Sequence, residues 1–222
     1  IRRIKEFKLH FPNTDLMAGN IATKEAAQDL IEAGADGLKV GIGPSPVCTT
    51  RVISGSGVPQ LTAVMDVCSV AKQHDVPVTA DGGIKFPGDL SKAIGAGAST
   101  AYCGSLFAGT DEAPGMIIMK DGRRYKRYMG SASYDSGHER KESQVGKKVK
   151  QKLDIFVEGV SSLVNYKGPV SEVIKGMIKG LRSGISYCGA RGIKDMHEKT
   201  EFIQITAAGW EESKSRGNKL SE

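Results

Sequence analysis

The sequence predicts an α/β fold, a parallel sheet with a helix after each strand, of the kind that closes into a (β/α)₈ TIM barrel. Three observations predict it. Short apolar runs of strand length alternate with longer stretches in which apolar residues recur at helical spacing. The alternation repeats four times at a period of roughly twenty to twenty-five residues, enough for one strand, one helix and their loops. The strand-like runs end in glycine-bearing loops, and strand–helix–strand units of this kind build parallel sheets through right-handed crossovers.

Taken in order, Ile1–Phe11 places Ile4, Phe7 and Phe11 at helical spacing, and Pro12-Asn13 ends that helix. Asp15–Gly19 is a short buried strand. Thr23 stands at the N-cap of a helix Lys24–Ala33 that Gly34 closes. Gly37–Ile42 is the second strand, followed by the loop Gly43–Pro46, after which Thr49 and Thr50 are placed to cap a helix. Leu61–His74 has an apolar helical face. Val76–Ala80 is the third strand and Asp81-Gly82-Gly83 a sharp loop. Pro87–Ala96 is a helix ending at Gly97, Thr100–Cys103 the fourth strand, and Gly104-Ser105 the turn beyond it. A complete barrel needs eight strands and ~250 residues. The four strands are therefore expected to be its C-terminal half, with the others ahead of Ile1, where the chain also lacks an initiator Met. A complete four-stranded doubly wound sheet is the alternative, although its edge strands would be unusually apolar.

After Ala108 the pattern changes. Ile117–Tyr128 reads as a hairpin turning at Asp121-Gly122. Ser131–Asp154 is polar and lysine-rich with little apolar periodicity, so residues 129–157 are expected to form a mobile flap inserted in one domain, 1–222. Ser171–Ser183 returns to helical spacing, Phe202–Thr206 reads as a last strand, and Gly209–Glu222 as a disordered tail.

Composition narrows the function classes. With 39% hydrophobic and 25% charged residues the 222-residue chain is ordinary globular material, and no stretch reaches a transmembrane length. Four cysteines without a CxxC pair argue against a zinc ribbon and for reduced thiols in the cytoplasm. The net charge of +6 is concentrated at Arg123–Arg127 and Arg140–Lys152. The bland reading, a solvated and mobile surface, is preferred. Attraction of a phosphorylated small molecule comes next, and nucleic acid last, because aromatics are not interleaved with the charges.

Chemistry is expected at the strand ends, where parallel α/β folds gather ligands. Cys48 lies in the loop Gly41–Thr50 directly after a strand and is a candidate nucleophile. Cys68, Cys103 and Cys188 read as small core residues. Asp81-Gly82-Gly83 offers backbone donors for a phosphate and a carboxylate for ribose hydroxyls, and Gly104-Ser105 follows one strand later. Each dipeptide alone is an ordinary turn; their joint order carries the signal.

Taken together, Ala18-Gly19-Asn20, Gly34–Pro44, Cys48-Thr49-Thr50-Arg51, Pro59–Val64, Ala80–Ile84, Gly104–Gly109, Glu112–Gly115 and Tyr166–Val170 resemble the IMP dehydrogenase/GMP reductase family, from about Asp15 to about Ile205. The resemblance implies that Cys48 attacks C2 of a purine nucleotide. It implies that Thr50 and Glu158 move protons, Glu158 standing eleven residues, inclusively, before Gly168. It implies that Asp81 holds the ribose, that Gly83, Gly104, Ser105 and Tyr128 hold the 5′-phosphate, and that Gly130 and Ser131 approach the base. A monovalent cation such as K⁺ on the carbonyls of Gly43 and Cys48, and a homotetramer, are also implied. The chain departs from the family at Ser45-Pro46, where Gly-Ser is usual; Pro46 removes a donor and fixes φ, which bears on the phosphate contact and the cation site.

Within the family, dehydrogenases place an Arg-Tyr pair in the flap to activate water. The flap here, Ser131–Glu142 and onward, has none, and Arg124-Tyr125 comes before Tyr128. The stretch Tyr128–Ser133 with the Lys/Glu-rich run after it resembles the bacterial GMP reductase subgroup. That implies NADPH-dependent reductive deamination of GMP to IMP, with NAD-dependent IMP dehydrogenase, using His138 and Arg140, as the alternative. A non-catalytic purine-nucleotide binder with an impaired Ser45-Pro46 loop is the third expectation.

Overall fold

A computed structural model describes residues 1–146 and 157–215. It begins with helix α1 (Arg2–His10) and continues as β1 (Met17–Ile21), α2 (Lys24–Glu32), β2 (Gly37–Val40), α3 (Thr50–Ile53), α4 (Gln60–Ala71), β3 (Val78–Asp81), α5 (Pro87–Gly95) and β4 (Thr100–Tyr102). The four strands form one parallel sheet in the order β1-β2-β3-β4. This is the strand–helix alternation read from the sequence, with each strand within about two residues of its expected start. The Thr23 hydroxyl accepts from Ala26 N–H and caps α2, satisfying a donor that the helix itself cannot. Thr49 occupies the N-cap position of α3, yet its side chain makes no cap bond.

The core lies between this sheet and the helices behind it. Leu38 and Val40 of β2, Val78 and Ala80 of β3, and Ala63, Val64 and Val67 of α4 are buried in one cluster with Ala27 of α2. Near-continuous apolar strands are what a sheet covered on both faces requires.

Beyond β4 the chain builds a second, antiparallel sheet from β5 (Ile118–Lys120), β6 (Arg123–Met129) and β7 (Ser161–Asn165). Asp121 and Gly122, with φ of 50° and 72°, make the expected turn. Strand β7, polar in sequence, forms because β6 offers it a full ladder from Tyr125↔Asn165 to Met129↔Ser161. Three further helices follow, α7 (Val170–Tyr187), α8 (Ile193–Lys199) and α9 (Ala207–Glu212).

Several expectations need correction. The flap, where little apolar periodicity gave no helix to predict, carries helix α6 (Tyr134–Val145). Its start is fixed by Ser133, whose hydroxyl accepts from Ser136 N–H and whose carbonyl accepts from Gly137 N–H. Capping and helix-forming residues succeed there without an apolar stripe. Residues 201–206 are not a strand: among the described residues no strand pairs with them, and Ile203 is 85% exposed. The proposed tail begins inside α9, which the Thr206 hydroxyl caps at Gly209 N–H. Residues 147–156 of the flap and 216–222 of the tail lie outside the described residues. Finally, the basic run Arg123–Arg127 is not uniformly solvated, because Lys126 faces inward from β6 and is 3% exposed. No helix among the described residues is long and apolar enough to cross a membrane.

Candidate active site

The carboxyl ends of β1–β4 open into a cavity of about 560 Å³, a size suited to a small-molecule ligand. The parallel sheet supplies one wall through Asp81 and Gly83 after β3 and Gly104 and Ser105 after β4; the loop after β2 adds Gly43 and Cys48. The antiparallel sheet and the flap supply the opposite wall through Tyr128, Gly130, Ser131 and Glu158. Every residue predicted for the site lines this cavity except Thr50, which sits one layer behind Cys48.

Thr50 is the link in a short chain of polar groups. Its hydroxyl lies 3.2 Å from Cys48 Sγ and donates to Glu158 Oε2 at 2.6 Å. The backbone fixes the same geometry independently. Thr49 N–H donates to the Glu158 carbonyl, Glu158 N–H donates to Ala132 O, and Val160 N–H donates to Val47 O. Glu158 is thus sewn between the cysteine loop and the base of the flap, although it stands 108 residues from Thr50. A thiol, a hydroxyl and a carboxylate in line can move a proton to or from a group bound at sulfur.

Ser45-Pro46 is accommodated by a turn. Cys48 N–H donates to Ser45 O at 3.1 Å, the closing bond of a four-residue turn with Pro46 at its second position. Proline favours that position because its fixed φ suits it and its missing N–H is not called upon.

The aspartate is held as well as exposed. Asp81 Oδ2 accepts from Asn20 Nδ2 at 2.8 Å and from Lys39 Nζ at 2.9 Å. Lys39 also lies 4.0 Å from the centre of the Tyr102 ring. Gln60 Nε2 donates to the carbonyls of Val40 and Asp81, tying together the ends of β2 and β3. Cys103, read from the sequence as core, is half-buried and lines the cavity; burial, with the Asp81 charge adding to it, raises its thiol pKa.

The model of the IMP dehydrogenase/GMP reductase domain matches residues 1–216. The chain belongs to that family. Inosine-5′-monophosphate dehydrogenase from Methanocaldococcus jannaschii is 51% identical over 222 residues, 96% of this chain and 45% of the relative. GMP reductase from Leishmania donovani is 51% identical over 203 residues, 90% of this chain and 41% of the relative. Among solved structures, a cysteine-to-alanine variant of GMP reductase from Trypanosoma brucei, in complex with guanosine 5′-monophosphate, superimposes with a TM-score of 0.90. It is 44% identical and covers 97% of this chain and 44% of its own. The chain therefore spans less than half the length of these members of the family. Their names divide between dehydrogenase and reductase, so membership leaves the reaction to be argued from the site.

Sequence reasoning gave no role to Asn20, Lys39 or Gln60. Lys39 did carry a signal, a charge inside an otherwise apolar parallel strand, which needs a partner. Its partner, Asp81, follows from strand order. Asn20 and Gln60 had no such signal, because their roles are bonds to carbonyls and a carboxylate brought together by the sheet.

Proposed function

We propose that this chain forms the catalytic portion of a GMP reductase, which converts GMP, NADPH and a proton to IMP, ammonia and NADP⁺. The observation that carries the reading is the flap. Residues 129–157 contain a single arginine, Arg140, followed by Lys141, and no Arg-Tyr pair. Arg140 is turned back onto the flap's own backbone, donating to the carbonyls of Ser131 and Ser136. Arg124 stacks 4.4 Å from the centre of the Tyr166 ring. Neither arginine is placed to activate water, which hydrolysis of a covalent purine adduct in a dehydrogenase would require.

In this reading Cys48 Sγ bonds to C2 of guanine, and the C2–N bond breaks as the amino group leaves. Thr50, backed by Glu158, delivers the proton that lets it leave as ammonia. Bound NADPH supplies the hydride that takes its place at C2. The C–S bond then breaks and returns the thiolate to Cys48. Asp81, anchored by Asn20 and Lys39, holds the ribose, while Gly83, Gly104, Ser105 and Tyr128 hold the 5′-phosphate. Gly130 and Ser131 lie along the base.

The cation expectation is less well matched. A monovalent ion needs several converging oxygens, whereas the proposed site offers two carbonyls, with the Arg51 side chain packed against Gly43 and its Nε bonded to Ile42 O. Among the described residues, these two carbonyls alone do not complete such a cage. The homotetramer implied by the family and the cytoplasmic location read from the cysteines belong to the same proposal.

The test is NADPH oxidation with GMP by the full-length protein and by its Cys48→Ala variant. A signal in the former, absent in the latter, supports the reductase. Robust XMP formation from IMP and NAD⁺ with no GMP-dependent oxidation would replace it with the dehydrogenase. Nucleotide binding with neither activity would leave a binder.

A further inference from the structure

Two ammonium groups outside the cavity hold the loop that carries Gly104 and Ser105. Lys167 Nζ, beyond β7, donates to the carbonyls of Leu106 at 2.8 Å and Ser105 at 3.4 Å. Lys126 Nζ, on β6, donates to the carbonyls of Thr110 at 2.7 Å, Asp111 at 3.2 Å and Ala113 at 2.5 Å. Lys126 is 3% exposed and spends its donors on neutral carbonyls, the arrangement by which a protein would hold a metal ion. Burial lowers the pKa of Lys167. The loop is pinned to the same strand end by backbone bonds, Lys167 N–H to Gly109 O and Asp111 N–H to Gly168 O.

This arrangement orients the peptide planes. The N–H and C=O of one trans peptide point in opposite directions. With the Ser105 carbonyl turned toward Lys167, Leu106 N–H points away from it. Phe107 and Ala108 N–H return to Gly104 O. Among the described residues no acceptor claims the amides of Ser105 and Leu106. Ser105 lines the cavity, and the Tyr128 hydroxyl lies so close to Gly104 that any Cβ there would strike it. A positive charge on the carbonyl side polarises the turn, strengthening free amides on the other side as donors to an anion.

We propose that Lys167, with Lys126 anchoring the far end of the loop, is a positioning residue for the nucleotide 5′-phosphate that never touches it. The proposal rests on the phosphate assignment above. It differs from simple attraction of an anion, because the charge acts through fixed peptide dipoles and its loss changes donor strength and direction together.

The experiment compares GMP with guanosine, which lacks the phosphate, as competing ligands of the full-length protein. Lys167→Met keeps most of the aliphatic stem and removes the charge; Lys167→Arg keeps the charge. Lys167→Met is expected to weaken GMP binding about tenfold and to leave guanosine binding within about twofold, with Lys167→Arg restoring most of the loss. Equal loss for both ligands would overturn the proposal in favour of a merely structural lysine. Unchanged GMP binding in Lys167→Met would overturn it while leaving the nucleotide reading intact. Failure of the unaltered protein to bind GMP would overturn that reading and the positioning role with it.

Discussion

In the parallel sheet, β2 and β3 bury nearly every side chain, whereas in the antiparallel sheet β5 is exposed throughout and β7 at all but one position. The first is held by apolar contact with α2 and α4. The second is held by its ladder and by point contacts such as the buried Lys126 ammonium. Both nevertheless line the cavity: the parallel half brings Cys48 and Asp81, the antiparallel half brings Tyr128 and Glu158. The contrast teaches that stability and chemistry are divided unequally between the halves.

The sharpest way to break that contrast is at Glu158. If the antiparallel half contributes function with little stability, Glu158→Gln lowers kcat of the full-length protein by about 10²- to 10⁴-fold with an unchanged melting temperature. A drop in melting temperature of several degrees would show that Glu158 is structural. Truncation in the two sheets is the next comparison. Leu38→Ala, at a residue with 0% exposure, is expected to cost about 2–5 kcal/mol. Leu163→Ala, at 39% exposure, is expected to cost under about 1 kcal/mol. Urea denaturation measures both, and equal costs would erase the distinction.

The thiols give a third test. Burial pushes the Cys68 thiol up to about 12, so alkylation at neutral pH is expected to reach it only on unfolding, while half-buried Cys48 is modified in the native state. Mass mapping after brief iodoacetamide treatment reads the order, and early labelling of Cys68 would mean that the parallel half opens readily.

The smallest effect is at Asp36. A hydrogen bond from Lys8, then one from Leu16 N–H, hold its carboxyl below the ordinary value of 3.8. The depressed folded value favours the charged form, so its stabilisation is present above the ordinary carboxylate range and disappears as pH falls through the folded value. Asp36→Asn should lower the melting temperature at pH 7 by a few degrees at most and should match the unaltered protein in strong acid. A gap that persisted in acid would assign the effect to something other than charge.

The parts of the molecule legible in advance share one property, which is that they are local. Apolar spacing marked α2, α4 and α5, Thr23 marked a cap, and Asp121-Gly122 marked a hairpin, because each depends on residues within a turn or two. Strand β7 was not legible, since Ser161–Asn165 has no strand pattern of its own and is defined by its partner. Phe202–Thr206 erred in the other direction: strand-like residues with no edge beside them stay irregular. α6 and α8 were missed because capping, not an apolar stripe, starts them; Asp195 accepts from Arg191 N–H at the head of α8. The site shows the same division. Family motifs pointed to every proposed catalytic and substrate-binding residue, but the inward turn of Lys126 and the anchoring of Asp81 by Asn20 and Lys39 had to be seen in three dimensions.

By itself, then, the sequence determined the alternation of strands and helices, the placing of Cys48, Asp81 and Gly104 at strand ends, and the two-residue spacing of Cys48 and Thr50. Those follow from short-range periodicity and from where glycine and polar residues interrupt it. Only the tertiary structure gave the geometry of the Thr50–Glu158 pair that the resemblance implied, 2.6 Å across 108 residues, and showed that two lysines join the Asp111 and Glu112 carboxylates in holding the Gly104–Ala113 loop. Such contacts depend on chain closure over long separations, where the energy of a pairing is set by the geometry of every element between its partners.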